Sequence, residues 1–304
     1  MFRYLVAGFL LTTLAFADVG IGTAQAEKVR IKHDGLTLNG ELNIVEGKTL
    51  KDGVVLVVHG TLAHSGMGTI KNLTDVLAER ALNTLAITLS LGVDDRHGMY
   101  DCKVAHRHRH LDALKEIEAW MAWLQTRGAG DVVLFGHSRG GNQAARYAAE
   151  LGHILLKRLV LLAPANWDET RAAKGFERNH GQPLSAALEK ARALVKAGRS
   201  SEIMKGMGLL FCRGADVSAE SFVSYYQPDL RFDTPSILNE IKVPTLVIAG
   251  GKDTVVRGLA EQVEGLADGS RLQLTVIDDA GHFFLDLLAE DVADAMEAFL
   301  SPGG

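Results

Sequence analysis

Val54-Val55-Leu56-Val57-Val58 is the feature that most narrows the fold. Five consecutive apolar residues cannot alternate between a wet and a dry face, so a strand made of them is buried on both sides, as in a parallel sheet covered by helices. Other short, largely apolar runs recur at Thr84 to Leu89, Val132 to Phe135, Leu159 to Leu162, Thr245 to Ala249 and Leu272 to Ile277. Between them lie stretches with helical period. Lys71 to Leu82 is one. Leu111 to Gln125 is another, with Leu111, Leu114, Ile117, Trp120, Met121 and Leu124 on one face. Gln143 to Leu151, Val256 to Leu266 and Phe283 to Leu300 complete the alternation. Strands that alternate with helices predict an α/β fold with a mostly parallel sheet. Lys28 to His33 and Leu36 to Ile44 alternate instead with period two, and Asp34-Gly35 between them predicts an antiparallel hairpin on one edge.

The rhythm breaks between about 166 and 235, where helices are expected over Leu184 to Lys196 and Glu202 to Leu210 but no buried strand is. This reads as a helical cap inserted into one domain that spans 27–304. Residues 1–26 read as a secretory signal peptide: Arg3, the apolar run Leu5 to Phe16, then Ala24-Gln25-Ala26 as the cleavage site. Asp18 interrupts the run short of the roughly 20 residues that cross a bilayer, which disfavours an anchor and any stable membrane insertion once the leader is removed. The expectation is an exported protein, periplasmic or secreted. In an oxidising compartment the two cysteines, Cys102 and Cys212, can pair or stay as separate buried thiols. A pair would tie the long loop Leu91 to Cys102 to the cap and limit its motion. The formal net charge of −5 argues against a nucleic-acid partner, which needs a basic face.

Gly136-His137-Ser138-Arg139-Gly140 follows a buried strand and precedes an alanine-rich helix, the strand–turn–helix that a G-x-S-x-G nucleophile elbow requires. The small flanking residues let the chain turn sharply and lift Ser138 to the carboxyl edge of the sheet. A serine hydroxyl needs a base. His282, in the loop after the last strand, lies on that edge; His33, His153 and His180 fit less well. Asp253 follows the strand Thr245 to Ala249 and completes the chain order Ser, Asp, His. The competing reading is a helix N-cap, which the position after the strand disfavours, and Asp168 is the main rival acid. The oxyanion donors are expected to be the backbone N–H groups of Arg139 and Thr61, with Leu62 the second choice for the latter. Gly60 gives the loop its turn and His59 supports it.

These residues and their order resemble the α/β-hydrolase superfamily, in the esterase-like serine-hydrolase form exported by bacteria. The resemblance covers the mature chain except the cap. It implies an eight-stranded sheet and a hydrolase that uses no cofactor, acting on a small-molecule ester or amide. It implies no particular substrate, because the fold hosts many activities. Ester cleavage is the first expectation. Amide or peptide hydrolysis, acyl transfer and a non-catalytic binding role stand behind it. Serine at the elbow, rather than aspartate, disfavours the dehalogenase and epoxide-hydrolase branches.

His106-Arg107-His108-Arg109-His110, with His97 nearby, has the alternate spacing of a metal-binding face. The interleaved arginines and the absence of a completing carboxylate favour a solvated or substrate-rim segment. No metal is expected. Met204, Met207, Leu209, Leu210 and Phe211 give the cap an apolar face that packs on the core or lines an acyl pocket, and Phe222, Tyr225 and Tyr226 follow near its end.

Overall fold

The computed structural model describes residues 25–301. The expected leader lies outside the described residues except for Gln25 and Ala26, which belong to the first strand. That strand, β1 (Gln25–His33), pairs antiparallel with β2 (Leu36–Ile44). Asp34 and Gly35 both take positive φ, 46° and 80°, the backbone that a two-residue hairpin turn demands.

The parallel strands follow in the expected places: β3 (Val54–Val58), β4 (Thr84–Thr88), β5 (Val132–His137) and β6 (Leu156–Leu162). Between them run α1 (Gly68–Glu79), α2 (Asp112–Thr126) and α3 (Arg139–Glu150). Every residue of β3 and β4 is buried, as their unbroken apolar sequence requires. Helix α3 starts immediately after Ser138, four residues earlier than apolar period alone predicts, because its first turn is glycine and polar residues.

The chain from 163 to 244 adds no strand to the main sheet. It holds α4 (Glu169–His180), α5 (Leu184–Lys196), a two-stranded pair β7 (Ile203–Met204) and β8 (Val217–Ser218), α6 (Ala219–Tyr226) and the short α7 (Thr234–Ile237). Phe176, Leu188, Met204, Met207, Leu209 and Phe222 form a hydrophobic cluster of their own there. The helix expected over Glu202 to Leu210 is absent. Gly206, Gly208 and Leu210 have φ of 65°, 78° and 56°, a left-handed backbone that no α-helix continues through. That backbone reverses the chain so that β8 returns to β7.

After this segment come β9 (Thr245–Gly250), α8 (Leu259–Glu264), β10 (Leu272–Ile277) and α9 (Leu288–Leu300). The eight strands of the main sheet lie in the order β1-β2-β4-β3-β5-β6-β9-β10, with β3 and β5 at the centre. Helix α1 packs on α9, and α2 packs on α3. Trp120 on α2 is fully buried, and its ring passes so close to Gly40 on β2 that a side chain there would press on it. Truncating such a residue costs about 3–5 kcal/mol.

Candidate active site

The carboxyl ends of β5, β9 and β10 and the loop after β3 converge on one point. Ser138, between β5 and α3, has φ 55° and ψ −122°. A non-glycine residue in that region is strained and persists only where its surroundings over-determine it. Here they do. The Ser138 N–H donates to Leu162 O, and its carbonyl accepts from Gly141, Asn142 and Ala165. The elbow glycines are sterically required: a Cβ on Gly136 would strike the Gly140 carbonyl, one on Gly140 the His59 carbonyl, and one on Gly141 Pro164. The Gly-x-Ser-x-Gly-Gly spacing therefore records three close backbone approaches rather than a flexible loop.

His282 Nε2 lies 2.9 Å from Ser138 Oγ, and its Nδ1 lies 2.7 Å from Asp253 Oδ2. Both the His282 and Asp253 side chains are buried. Their two loops are pressed back to back: a Cβ on Gly250 would meet Ala280 O and one on Gly251 would meet Asp278 O. Asp253 is also a cap, its Oδ1 accepting from the N–H groups of Val255 and Val256 at 2.7 and 3.1 Å. The two readings of this residue are compatible, since each uses a different oxygen. Burial pushes the Asp253 carboxyl up, but the His282 hydrogen bond and charge and the two N–H donors outweigh it and hold the pKa below its ordinary value. His137 Nε2 donates to the His282 carbonyl at 2.9 Å and braces that loop from beneath. Asp168, the rival acid, caps α4 through the Arg171 N–H instead. Asp279 forms an exposed pair with Lys252.

The loop after β3 is held against Ser138. Gly60 sits where a Cβ would be 3.3 Å from Ser138 Cβ. Among the described residues, neither the Thr61 nor the Arg139 backbone N–H donates to another backbone group. His59 supports this loop as expected: Nδ1 donates to Gly60 O at 2.8 Å, and Nε2 accepts from the Leu89 N–H at 3.0 Å. Burial lowers its pKa to about 3, which keeps the ring neutral. Arg96 is a support that spacing alone did not single out. Buried, it donates to the carbonyls of Leu89, Gly98 and Ala63 and so ties the loop after β4 to the one after β3. Its only sequence signal was a cation inside a long loop on the carboxyl edge.

Above Ser138 lies a cavity of about 530 Å³. Thr61, Arg139 and His282 line its floor, and Trp167, Phe176, Phe211, Tyr226 and Phe232 supply apolar walls. Leu210 and Phe211 therefore reach the cavity, whereas Met204, Met207 and Leu209 fill the second cluster. Cys102 and Cys212 form a disulfide that joins the loop after β4 to the segment between β6 and β9.

The histidine run departs from expectation. His106, His108 and His110 are buried, not solvated. Alternate spacing turns all three inward while Arg107 and Arg109 stay out. His106 Nδ1 and His108 Nε2 are 3.0 Å apart, and His108 Nδ1 is 2.9 Å from the Tyr225 hydroxyl. Only His110 reaches the cavity. Among the described residues, no cluster of three or more His, Cys, Asp or Glu side chains is arranged to hold a metal ion, and no helix is long and apolar enough to cross a membrane.

Residues 54–295 match the model of the alpha/beta hydrolase family. The chain belongs to that family. Its backbone is similar to that of Est1E from Butyrivibrio proteoclasticus with ferulic acid bound, at TM-score 0.63 and 18% identity over 90% of this chain and 97% of that one. It is also similar to the Pyrococcus furiosus esterase Pf2001, at TM-score 0.60 and 20% identity over 93% and 94%. An alpha-beta serine hydrolase homologue from Coxiella burnetii gives TM-score 0.53 and 16% identity over 90% and 97%. At these identities the likeness is one of fold. No curated protein matches the chain in sequence. Family and fold together make the chain an alpha/beta hydrolase with an eight-stranded, mostly parallel sheet.

Proposed function

We propose that this alpha/beta hydrolase cleaves a carboxylic ester through Ser138, His282 and Asp253. The observation that carries the reading is the unbroken chain of hydrogen-bonding distances, 2.9 Å from Ser138 Oγ to His282 Nε2 and 2.7 Å from His282 Nδ1 to Asp253 Oδ2. Asp253 fixes the tautomer in which Nδ1 carries the proton and Nε2 accepts the one from Ser138. Ser138 Oγ attacks the carbonyl carbon, and the carbonyl oxygen gains charge against the Thr61 and Arg139 N–H groups. Each such donor contributes about 3–4 kcal/mol to the transition state in enzymes of this kind. His282 returns the proton to the departing alkoxide, and an acyl-enzyme remains. Water then repeats the sequence with His282 as base, releasing the acid and restoring the serine.

The segment at about 166–235 acts as a cap over this centre, pinned by the Cys102–Cys212 bond. The disulfide accords with an oxidising compartment and so with export behind the leader at 1–26. The likeness to Pf2001, which is named an esterase, supports an ester over an amide. A serine-directed fluorophosphonate tests the nucleophile. Stoichiometric phosphonylation mapped to Ser138, and none on Ser138→Ala, is expected. Label on another serine overturns the assignment.

A further inference from the structure

The Arg139 side chain is not used by the mechanism above, which needs only its backbone N–H. We propose that its guanidinium recognises a carboxylate on the substrate, so that the enzyme prefers esters whose acyl chain ends in a carboxylate to neutral esters of equal length. Turnover of such esters rests on the hydrolase reading; recognition of the charge does not.

The argument begins with how this arginine is partnered. The two buried arginines of the described residues are satisfied: Arg96 donates to three carbonyls, and Arg146 meets Glu150 and Asp229, whereas Arg139 is half-buried. Arg139 has neither kind of satisfaction. Its Nε donates to Thr61 Oγ1 at 3.2 Å, and Nη1 lies 3.5 Å from His110 Nδ1. The guanidinium carbon sits 5.5 Å over the Tyr225 ring. Among the described residues no carboxylate is within ion-pair distance of it. Guanidinium carries five N–H donors in a planar fork, so several remain unclaimed.

The neighbours cannot supply the missing charge. His110 Nε2 is 3.1 Å from Asn142 Oδ1, an acceptor, so that nitrogen carries the proton and Nδ1 presents a lone pair to Arg139. Asn142 is fixed in this role because its own amide donates to Arg231 O and Thr234 Oγ1. Burial holds the His110 ring neutral. The Tyr225 hydroxyl faces His108, and burial raises its pKa above the usual range, so it supplies no phenolate. Arg139 and the groups it touches, Thr61, His110 and Tyr225, all line the cavity above Ser138.

A partly desolvated cation without a counter-charge is held at a cost, and an arginine fork matches a carboxylate in two parallel hydrogen bonds. The start of α3 adds positive potential at the same point. A carboxylate entering here neutralises Arg139, the only Lys, Arg, Asp or Glu among the described residues that line a cavity whose other walls are mostly apolar. The contact with Thr61, the expected oxyanion residue, places the cation beside the scissile carbonyl, so the two ends of a short acyl chain can be held at once.

The test compares p-nitrophenyl hydrogen glutarate with p-nitrophenyl valerate, which match in chain length and differ in charge. In the parent, kcat/KM should favour the glutarate. Arg139→Gln should lower the anionic-to-neutral ratio at least tenfold, and Arg139→Lys should restore part of it. If the arginine only braces Thr61, both substrates slow together and the ratio holds, which overturns the proposal. Calorimetry on Ser138→Ala, with Arg139 intact, keeps the two readings apart. Monomethyl glutarate should bind at least tenfold more tightly than dimethyl glutarate, and equal binding overturns the proposal. Charge-selective binding without turnover of any ester by the parent would sink the hydrolase reading and leave the anion site standing.

Discussion

Lowering the pH from 7 to 5.5 should cost the fold about 5 kcal/mol, a large share of the roughly 5–15 kcal/mol that holds a typical domain together. The cause is five histidines that the fold buries as neutral rings: His59, His106, His108, His110 and His137, none more than 1% exposed. Burial lowers their pKa values to about 3 for His59 and His108 and about 4 for His106 and His137, and well below normal for His110. The unfolded chain takes up a proton on each near pH 6.5, while the folded chain takes up none until far lower. Their folded pKa values are depressed, so the stability they contribute is complete above about pH 6.5 and falls as the pH drops toward the folded values. Each costs about 1.4 kcal/mol per pH unit once the unfolded histidine is fully protonated. Glu116 works the other way. Burial raises its pKa to about 7, so the folded state gains a proton in this range and recovers about 1–2 kcal/mol. Asp253 adds to the loss only below its ordinary range. Urea unfolding followed by tryptophan fluorescence at pH 7, 6.5, 6 and 5.5 measures the slope directly. His106→Gln should flatten it by about one proton's worth. Stability that stays within 1 kcal/mol across the series would refute the reasoning, because buried neutral histidines cannot leave it unchanged.

Three further outcomes follow from the geometry. Gly140→Ala drives a Cβ into the His59 carbonyl, so it should destabilise by about 1–3 kcal/mol and abolish ester cleavage; a thermal melt and a rate measurement read both, and a fully active, equally stable variant contradicts the steric account. Asp253→Asn preserves shape but favours the wrong His282 tautomer and should lower kcat about 10⁴-fold, with KM little changed in steady-state kinetics. Cys102→Ser with Cys212→Ser removes a crosslink across 110 residues and should cost about 3–5 kcal/mol of unfolding free energy in oxidising buffer.

Much of the sheet was legible because its signal is local. An apolar run such as Val54 to Val58 can be satisfied only by burial on both faces, and β3 occupies those residues. The elbow was legible for a steric reason, since Gly136, Gly140 and Gly141 each meet a backbone or proline atom where a Cβ would stand. The segment 202–210 misled because Met204, Met207 and Leu210 mimic a helical stripe, while Gly206 and Gly208, which break it, are only two residues among them. Helix α4 was overlooked because it buries a single residue, Phe176, and so carries almost no apolar period. The histidine run showed its alternation but not which side would be buried; that depends on Tyr225 and Tyr100, distant in sequence or on the loop itself. The partnering of Arg139 was likewise invisible, because the absence of a carboxylate around a side chain is a property of the fold and not of any motif.

The central claim is that Ser138 is the nucleophile of an ester hydrolase. Hydrolysis of p-nitrophenyl esters of increasing acyl length by the parent protein, beside Ser138→Ala of matched thermal stability, tests it most directly. The account predicts turnover in the parent, with an optimum at the acyl length that fills the cavity of about 530 Å³, and a loss of about 10⁴-fold or more in the variant. Equal rates in the two proteins would contradict it.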